Sequence, residues 1–212
     1  MHNYFLKKNT KSKYKQGLSL IETIVAISIF ALSILGILVI LGGGIANTNY
    51  AKNKVIASFL AEEGIETIRN IRDTYDQYSP SPDGWVDFRD KLTVAGCSSN
   101  PHGCYFDIQK DINNVTYDMF AASNRPMPIT KIYFTSCPIT GCIPLLYDSS
   151  LGSYTYTSNG SYTTSTGMRR TIKMEINGFN TDEIKITSIV TWVQGTQTRT
   201  VAFADIFFNW IQ

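Results

Sequence analysis

One carboxylate and four sulfurs are the side chains here whose type and placement point to chemistry. Glu22 stands at the edge of an otherwise uncharged hydrophobic run, Thr23 to Ala46 (TIVAISIFALSILGILVILGGGIA). On insertion scales an acid at mid-membrane costs about 2.5–3.5 kcal/mol, and less near the interface. An unpaired Glu22 would be a defect in a simple anchor. A cationic partner would remove it, because ammonium and carboxylate attract strongly at low dielectric and offset each other's burial.

The sulfurs are Cys97, Cys104, Cys137 and Cys142. Four cysteines allow three connectivities, and the short separations favour Cys97–Cys104 and Cys137–Cys142, each stapling a loop. A zinc site is the rival, but neither gap has C-x-x-C spacing and only His102 lies near. Disulfides would be chemically reasonable in a region exported to an oxidising compartment.

Catalysis finds little support. No G-x-S-x-G is present, and no glycine loop follows a strand in a way that would cradle phosphate. The expectation is a protein that is not an enzyme and holds no cofactor. Asn177, Asn180, Asp182 and Glu183 offer oxygens to Ca²⁺, but their spacing matches no established ligand loop, and a polar turn between strands explains them equally well. Asn114-Val115-Thr116 and Asn159-Gly160-Ser161 fit N-x-[ST], a pattern frequent by chance.

These groups need elements to position them. The run from Thr23 to Ala46 is long enough, at ~1.5 Å per residue, to cross a ~30 Å hydrocarbon layer as a helix. Before it, Met1 to Gln16 carries Lys7, Lys8, Lys11, Lys13 and Lys15 and no acid. Such a flank stays on the cytoplasmic side. The apolar run is too long for an ordinary secretory signal, and the small residue Gly17 precedes it instead of following it.

Gly42-Gly43-Gly44 predicts a kink or a frayed turn, at about 1 kcal/mol per glycine relative to alanine. Beyond it, Val55, Ile56, Phe59, Leu60, Ala61, Ile65, Ile68 and Ile71 recur at three- and four-residue spacings, one apolar stripe of an amphipathic helix. Glu62, Glu63, Glu66, Arg69, Arg72 and Asp73 occupy the other face, with Glu66–Arg69 and Arg69–Asp73 spaced for weak pairs. Pro80, Pro82 and Gly84 end that helix.

From Trp85 onward the pattern reads as short strands and turns: 104–108, 131–134, 144–147, 170–176, 183–193, then a turn at 194–196 into 199–207. A run of strands after one helix predicts an α+β fold, with the helix laid on an antiparallel sheet. The tract Asp148–Gly167 is polar and dotted with tyrosines. It reads as a flexible hairpin or surface loop, or alternatively as an adhesive or subunit-specific surface. Arg169, Arg170 and Lys173 read as a solvated strand end, with a local basic patch as the alternative.

Gly17-Leu18-Ser19-Leu20-Ile21-Glu22, behind its lysine-rich leader, resembles the class III signal peptide of type IV pilins and pseudopilins. That resemblance implies cleavage after Gly17 by a membrane-embedded prepilin peptidase and N-methylation of Leu18. It also implies that Glu22 pairs with the terminal amine of a neighbouring subunit, and that Gly42, Gly43 and Gly44 mark a helix segment able to stretch or melt in a filament. Leu60 to Arg69 (LAEEGIETIR) resembles minor pilins of the pilus-modification type.

The implied organisation is a leader (1–17), a transmembrane and filament-core helix (18–46), its amphipathic continuation (47–78) and an extracytoplasmic β-rich head (79–212). The implied partners are other pilins or pseudopilins and an inner-membrane assembly platform. The implied location is the cytoplasmic membrane first, an external or periplasmic filament afterwards. A pseudopilin of a secretion or DNA-uptake machine and a non-polymerising tethered adhesion domain are the alternatives.

Cleavage also changes the charge. The full chain has 19 basic and 17 acidic side chains, a balance of +2. Loss of the five leader lysines leaves 14 against 17, or −3. A mildly acidic body argues against a general nucleic-acid binder, which needs clustered cations.

Overall fold

The computed structural model describes residues 17, 19–78, 83–107, 133–158, 160–177 and 180–209. The leader, Leu18, Asn114–Thr116 and Asn159 therefore lie outside the described residues. The fold is α+β, a long N-terminal apolar helix and a C-terminal antiparallel sheet. Two compact units divide the chain, residues 1–49 and 50–212.

Helix α1 runs Leu20–Tyr78. In the first unit its large apolar side chains, from Leu20 through Phe30 to Ile45, are exposed on every side. A helix apolar all round is suited to lipid or to a bundle, not to water. Its hydroxyls fold back on the helix: Thr23 Oγ1 donates to the Leu20 carbonyl at 2.8 Å, Ser28 to Ile24 at 2.8 Å, Ser33 to Ile29 at 2.8 Å and Thr48 to Gly44 at 2.9 Å. Gly42–Gly44 do not interrupt it; helical backbone passes through all three, against the expected frayed turn.

In the second unit one stripe of α1 is covered: Ala57, Leu60, Ala61, Ile65, Ile68, Ile71 and Tyr75. Val55 and Phe59 were expected in that stripe but lie outside it, 55% and 68% exposed. A stripe facing one sheet spans little more than a third of the helix circumference, so residues at its margin escape cover.

Pro80 and Pro82 precede a second helix, α2 (Gly84–Val94), where strands and turns were expected. Asp83 caps it, its carboxylate accepting from Val86 N at 3.1 Å. Trp85, Phe88 and Leu92, spaced i, i+3, i+7, are its buried face. That spacing is helical, and the Pro-rich lead-in with Asp-Gly is as good a helix start as a turn.

The main sheet has the order β2-β1-β6-β7-β8, antiparallel throughout, built from β1 (Cys104–Asp107), β2 (Tyr133–Ser136), β6 (Arg169–Asn177), β7 (Asn180–Gln194) and β8 (Gln197–Phe208). Period-two alternation puts Ile172, Met174, Ile184, Ile186, Ser188, Val190 and Trp192 on one buried face. Together with the α1 stripe and α2 they form two apolar clusters, one around Ile68, Phe88, Phe106 and Phe207, the other around Ala57, Leu60, Val190 and Trp192. Each fully buried Ile or Phe contributes about 1.5–3 kcal/mol.

The polar tract 148–167 is structured. It supplies β4 (Ser153–Thr155), a 3-10 turn (Gly160–Tyr162) and β5 (Thr163–Ser165), which flank β3 (Leu146–Asp148) in a second sheet of order β4-β3-β5. Asp148, 1% exposed, organises its turn by accepting from Ser150 N at 2.8 Å, Ser150 Oγ at 2.6 Å and Leu151 N at 3.3 Å.

Candidate functional site: the helix start and the buried polar centre of the head

Helix α1 begins two residues after Leu18. The Ser19 carbonyl accepts the first helical bond, from Thr23 N at 3.2 Å. Glu22 falls in the first turn, where a negative side chain complements the unpaired N–H groups of the helix start. Gly17, Ser19 and Glu22 are exposed, and nothing lies within 4 Å of a Cβ built on Gly17.

In the head, the stretch Leu60 to Arg69 is where α1 meets the sheet. Gly64 makes the meeting close: a Cβ there would stand 2.3 Å from Ser188 Oγ, 3.1 Å from Ser188 Cβ and 3.3 Å from Ile172 Cδ1. One turn away Arg170 reaches in from β6. It is not the surface patch considered from sequence, being 3% exposed.

Arg170 Nη1 donates to Glu63 Oε2 at 2.9 Å and to the Leu60 carbonyl at 3.4 Å; Nη2 donates to the Phe106 carbonyl at 3.4 Å. The guanidinium lies 4.4 Å from the centroid of the Phe106 ring. One cation therefore ties α1, β1 and β6 together. The paired acid and two carbonyls offset part of the cost of burying this charge, while its Nε is buried without a hydrogen-bond partner among the described residues.

Asp107 continues this centre toward the small sheet. Its carboxylate accepts from Tyr156 N at 3.1 Å and Thr157 Oγ1 at 2.9 Å, with Thr155 Oγ1 at 3.4 Å. Tyr156 packs against Tyr105 in a tilted contact with centroids 4.7 Å apart. Burial pushes the Tyr156 phenol up to about 12, although nearby Arg170 pulls the other way.

On the exposed side of α1, Arg69 pairs with Glu66, as its spacing predicts, and with Asp205 of β8 at 2.7 Å. Asp73 is joined to Arg72 at 2.5 Å, in place of the anticipated Arg69. Arg72 also lies over the Phe207 ring, 5.3 Å from its centroid.

The cysteines form Cys97–Cys104 and Cys137–Cys142, with Cα separations of 4.7 and 4.5 Å. The first joins the end of α2 to the start of β1. Between them Gly103 takes φ +71°, and a Cβ there would meet the Ile172 carbonyl oxygen at 2.5 Å. Bonded sulfurs leave no thiolate for the zinc alternative.

Among the described residues no three His, Cys, Asp or Glu side chains cluster as metal ligands. Of the calcium candidates, Asp182 is engaged by Asn209, whose N donates to its carbonyl at 2.9 Å. Asn177 and Asn180 pair across the end of the β6–β7 hairpin, where the register shifts.

Sequence reasoning misplaced Arg170 at the surface and overlooked Gly64. The available signals were an arginine inside a strand whose alternate positions are apolar, and a glycine inside an apolar helical stripe.

Residues 12–42 match the family model described as the prokaryotic N-terminal methylation motif. The match spans Gly17, Leu18 and Glu22 and the first part of α1, and it supports a likeness to type IV pilins and pseudopilins. No curated protein and no solved structure matches the chain.

Proposed function

We propose that this chain is a structural subunit of a type IV pilus-like filament, most like a minor pilin, and not an enzyme. A prepilin peptidase cleaves it after Gly17 and Leu18 becomes the N-methylated first residue. The single observation that carries this is the methylation motif at 12–42 placed on the exposed start of an apolar helix, with one acid in its first turn.

Assembly moves the apolar helix from lipid into a bundle of related helices, on a membrane-based platform. Glu22 then meets the terminal amine of a neighbour, and each charge lowers the other's burial cost. Gly42, Gly43 and Gly44 are the weakest stretch of α1 by propensity and are the place where it can lengthen during packing. Neither calcium nor any other cofactor enters this mechanism.

The same motif serves a pseudopilin of a secretion or DNA-uptake machine, which is the second reading. An additional adhesive role is favoured by the small sheet, which exposes Tyr147, Leu151 and Tyr162 on an ordered frame.

The test is intact mass and N-terminal sequencing of protein taken from host membranes, followed by Glu22→Ala. A chain beginning at N-methylated Leu18 is expected, and E22A is expected to insert into the membrane normally and to be lost from filaments. A chain still beginning at Met1 beside an active peptidase would overturn the proposal. Normal incorporation of E22A would overturn the pairing.

A further inference from the structure

Lys52, Lys54, Arg169 and Arg199 are exposed cations, and among the described residues none of them is paired with an acid. Ring contacts and strand register gather them at one end of the head. Arg199 lies over the Tyr50 ring, 5.4 Å from its centroid. It pairs across strands with Trp192, whose ring centroid is 6.3 Å from that of Tyr50. Arg169 pairs with Thr191, the neighbouring residue of β7. Lys52 and Lys54 follow Tyr50 by about 3 and 6 Å along the α1 axis.

No acid offsets this charge locally. After Glu22 the chain has no acidic residue before Glu62, and from Ile186 to Ala204 the only charged residue is Arg199. Acids collect toward the other end. Asp182 and Glu183 stand near the start of β7, and Asp87 and Asp90 lie on α2. Trp85 of α2 reaches the same end, its Nε1 donating to the Thr181 carbonyl at 2.8 Å.

Position decides what the cations meet. Tyr50 follows Ala46, the last residue of the uncharged run, by four positions. That length of chain spans at most about 14 Å in any conformation. The contacts Tyr50–Arg199 and Arg69–Asp205 show that β8 runs along α1 in the same direction within the head. Thr196, in the turn three residues before Arg199, therefore projects about 10 Å beyond it, in the direction from which the chain enters the head. The turn itself is uncharged, and Val193 beside it is 68% exposed. An apolar tip ringed by cations suits the boundary of a bilayer, where anionic headgroups attract Lys and Arg within a Debye length.

We infer that this end of the head is a lipid-docking surface: while α1 spans the bilayer, the β7–β8 turn and Lys52, Lys54, Arg169 and Arg199 rest on anionic phospholipid headgroups. The inference rests on α1 spanning a membrane, and on neither cleavage after Gly17 nor filament assembly.

The full chain reconstituted in vesicles tests it, with flotation checking the membrane span separately. A single cysteine at Thr196 or Thr181 carries a fluorophore; both positions are exposed, and Cys97, Cys104, Cys137 and Cys142 are paired and take no label. The two positions are 15 residues apart along the sequence of β7 and its turn, roughly 50 Å of strand. The quencher is a nitroxide on the lipid headgroup.

In phosphatidylcholine vesicles containing phosphatidylglycerol, quenching at 196 is expected to exceed that at 181 about threefold or more. It is expected to fall by about half or more in phosphatidylcholine alone, or at ~1 M salt, where screening acts beyond ~3 Å. Lys52→Gln, Lys54→Gln, Arg169→Gln and Arg199→Gln together should produce the same fall. Equal quenching at 196 and 181 would overturn the proposal. So would quenching at 196 that ignores lipid charge, salt and the four substitutions, which tethering alone would produce. A label at 196 shielded only at high protein density, with no dependence on phosphatidylglycerol, would give the surface to the acidic end of a second copy and overturn it too. Failure to float with the vesicles would overturn the membrane span itself, and the docking with it.

Discussion

Replacing Gly64 by alanine tests whether α1 touches the sheet as closely as described. The added Cβ would lie 2.3 Å from Ser188 Oγ, 3.1 Å from Ser188 Cβ and 3.3 Å from Ile172 Cδ1, where ordinary contact begins at 3.4 Å. The hydroxyl can rotate away, but the Ser188 Cβ is fixed to a central strand. Overpacking of this kind costs about 1–3 kcal/mol. Alanine returns about 1 kcal/mol of helix propensity. The net expectation is a loss of about 0–2 kcal/mol, or up to roughly 8 °C in melting temperature for a unit of this size.

The decisive quantity is the coupling. In a Ser188→Gly background the obstruction is gone and Gly64→Ala should become stabilising by the propensity gain, giving a coupling of about 1–3 kcal/mol. Tryptophan emission on heating isolates the relevant unit, since Trp85, Trp192 and Trp210 all lie beyond residue 49. If Gly64→Ala is equally stabilising with Ser or Gly at 188, the close approach does not exist and the reasoning fails.

Alkaline titration should expose Tyr156. Its phenol is raised from 10.0 to about 12 in the folded chain, chiefly by burial, so the native state holds the proton more tightly than the unfolded one. The contribution is full below pH 10 and is lost as pH climbs from there through about 12, amounting to on the order of 2 kcal/mol. Tyr156→Phe should flatten that loss, as read by denaturant midpoints at pH 8 and 11; an unchanged slope would remove Tyr156 as its source. Removing either disulfide by paired Cys→Ser substitution should cost roughly 2–2.5 kcal/mol, the loop-closure value for such short loops. Denaturant melts of the two variants check this, and no loss from either would mean that the cross-link constrains nothing in the unfolded chain.

Period and punctuation made much of the fold legible. The α1 stripe from Leu60 to Ile71 announced itself by spacing, and β6, β7 and β8 by alternation and the Gly195 turn. What failed did so for physical reasons. Val55 and Phe59 have the right spacing for the stripe, but spacing cannot say how wide a sector the sheet covers. Helix α2 hides behind Pro80 and Pro82, because proline ends one helix and precedes another equally well. The tract after Asp148 has too little apolar content to signal strands, and its order comes from side-chain acceptors, Asp107 and Asp148, that gather its N–H and hydroxyl groups. Arg170 reads as surface because burial of a cation depends on Glu63 and two carbonyls from distant segments. The methylation motif at 12–42 was legible from local residues, since such a motif is a short stretch of chain that needs no distant contact.

The hydroxyls of α1 carry their hydrogen-bond acceptors with them. Thr23, Ser28, Ser33 and Thr48 each bond a carbonyl of the preceding turn, so exchanging one oily surrounding for another leaves their accounts unchanged. To the medium, this stretch of helix is close to a plain hydrocarbon rod, indifferent to whether acyl chains or leucines surround it. Such a rod has no preferred depth, rotation or neighbour of its own. In the proposed assembly, the address, in the sense of which of many equivalent positions it finally occupies, would then fall to the one ionisable side chain of this stretch, Glu22.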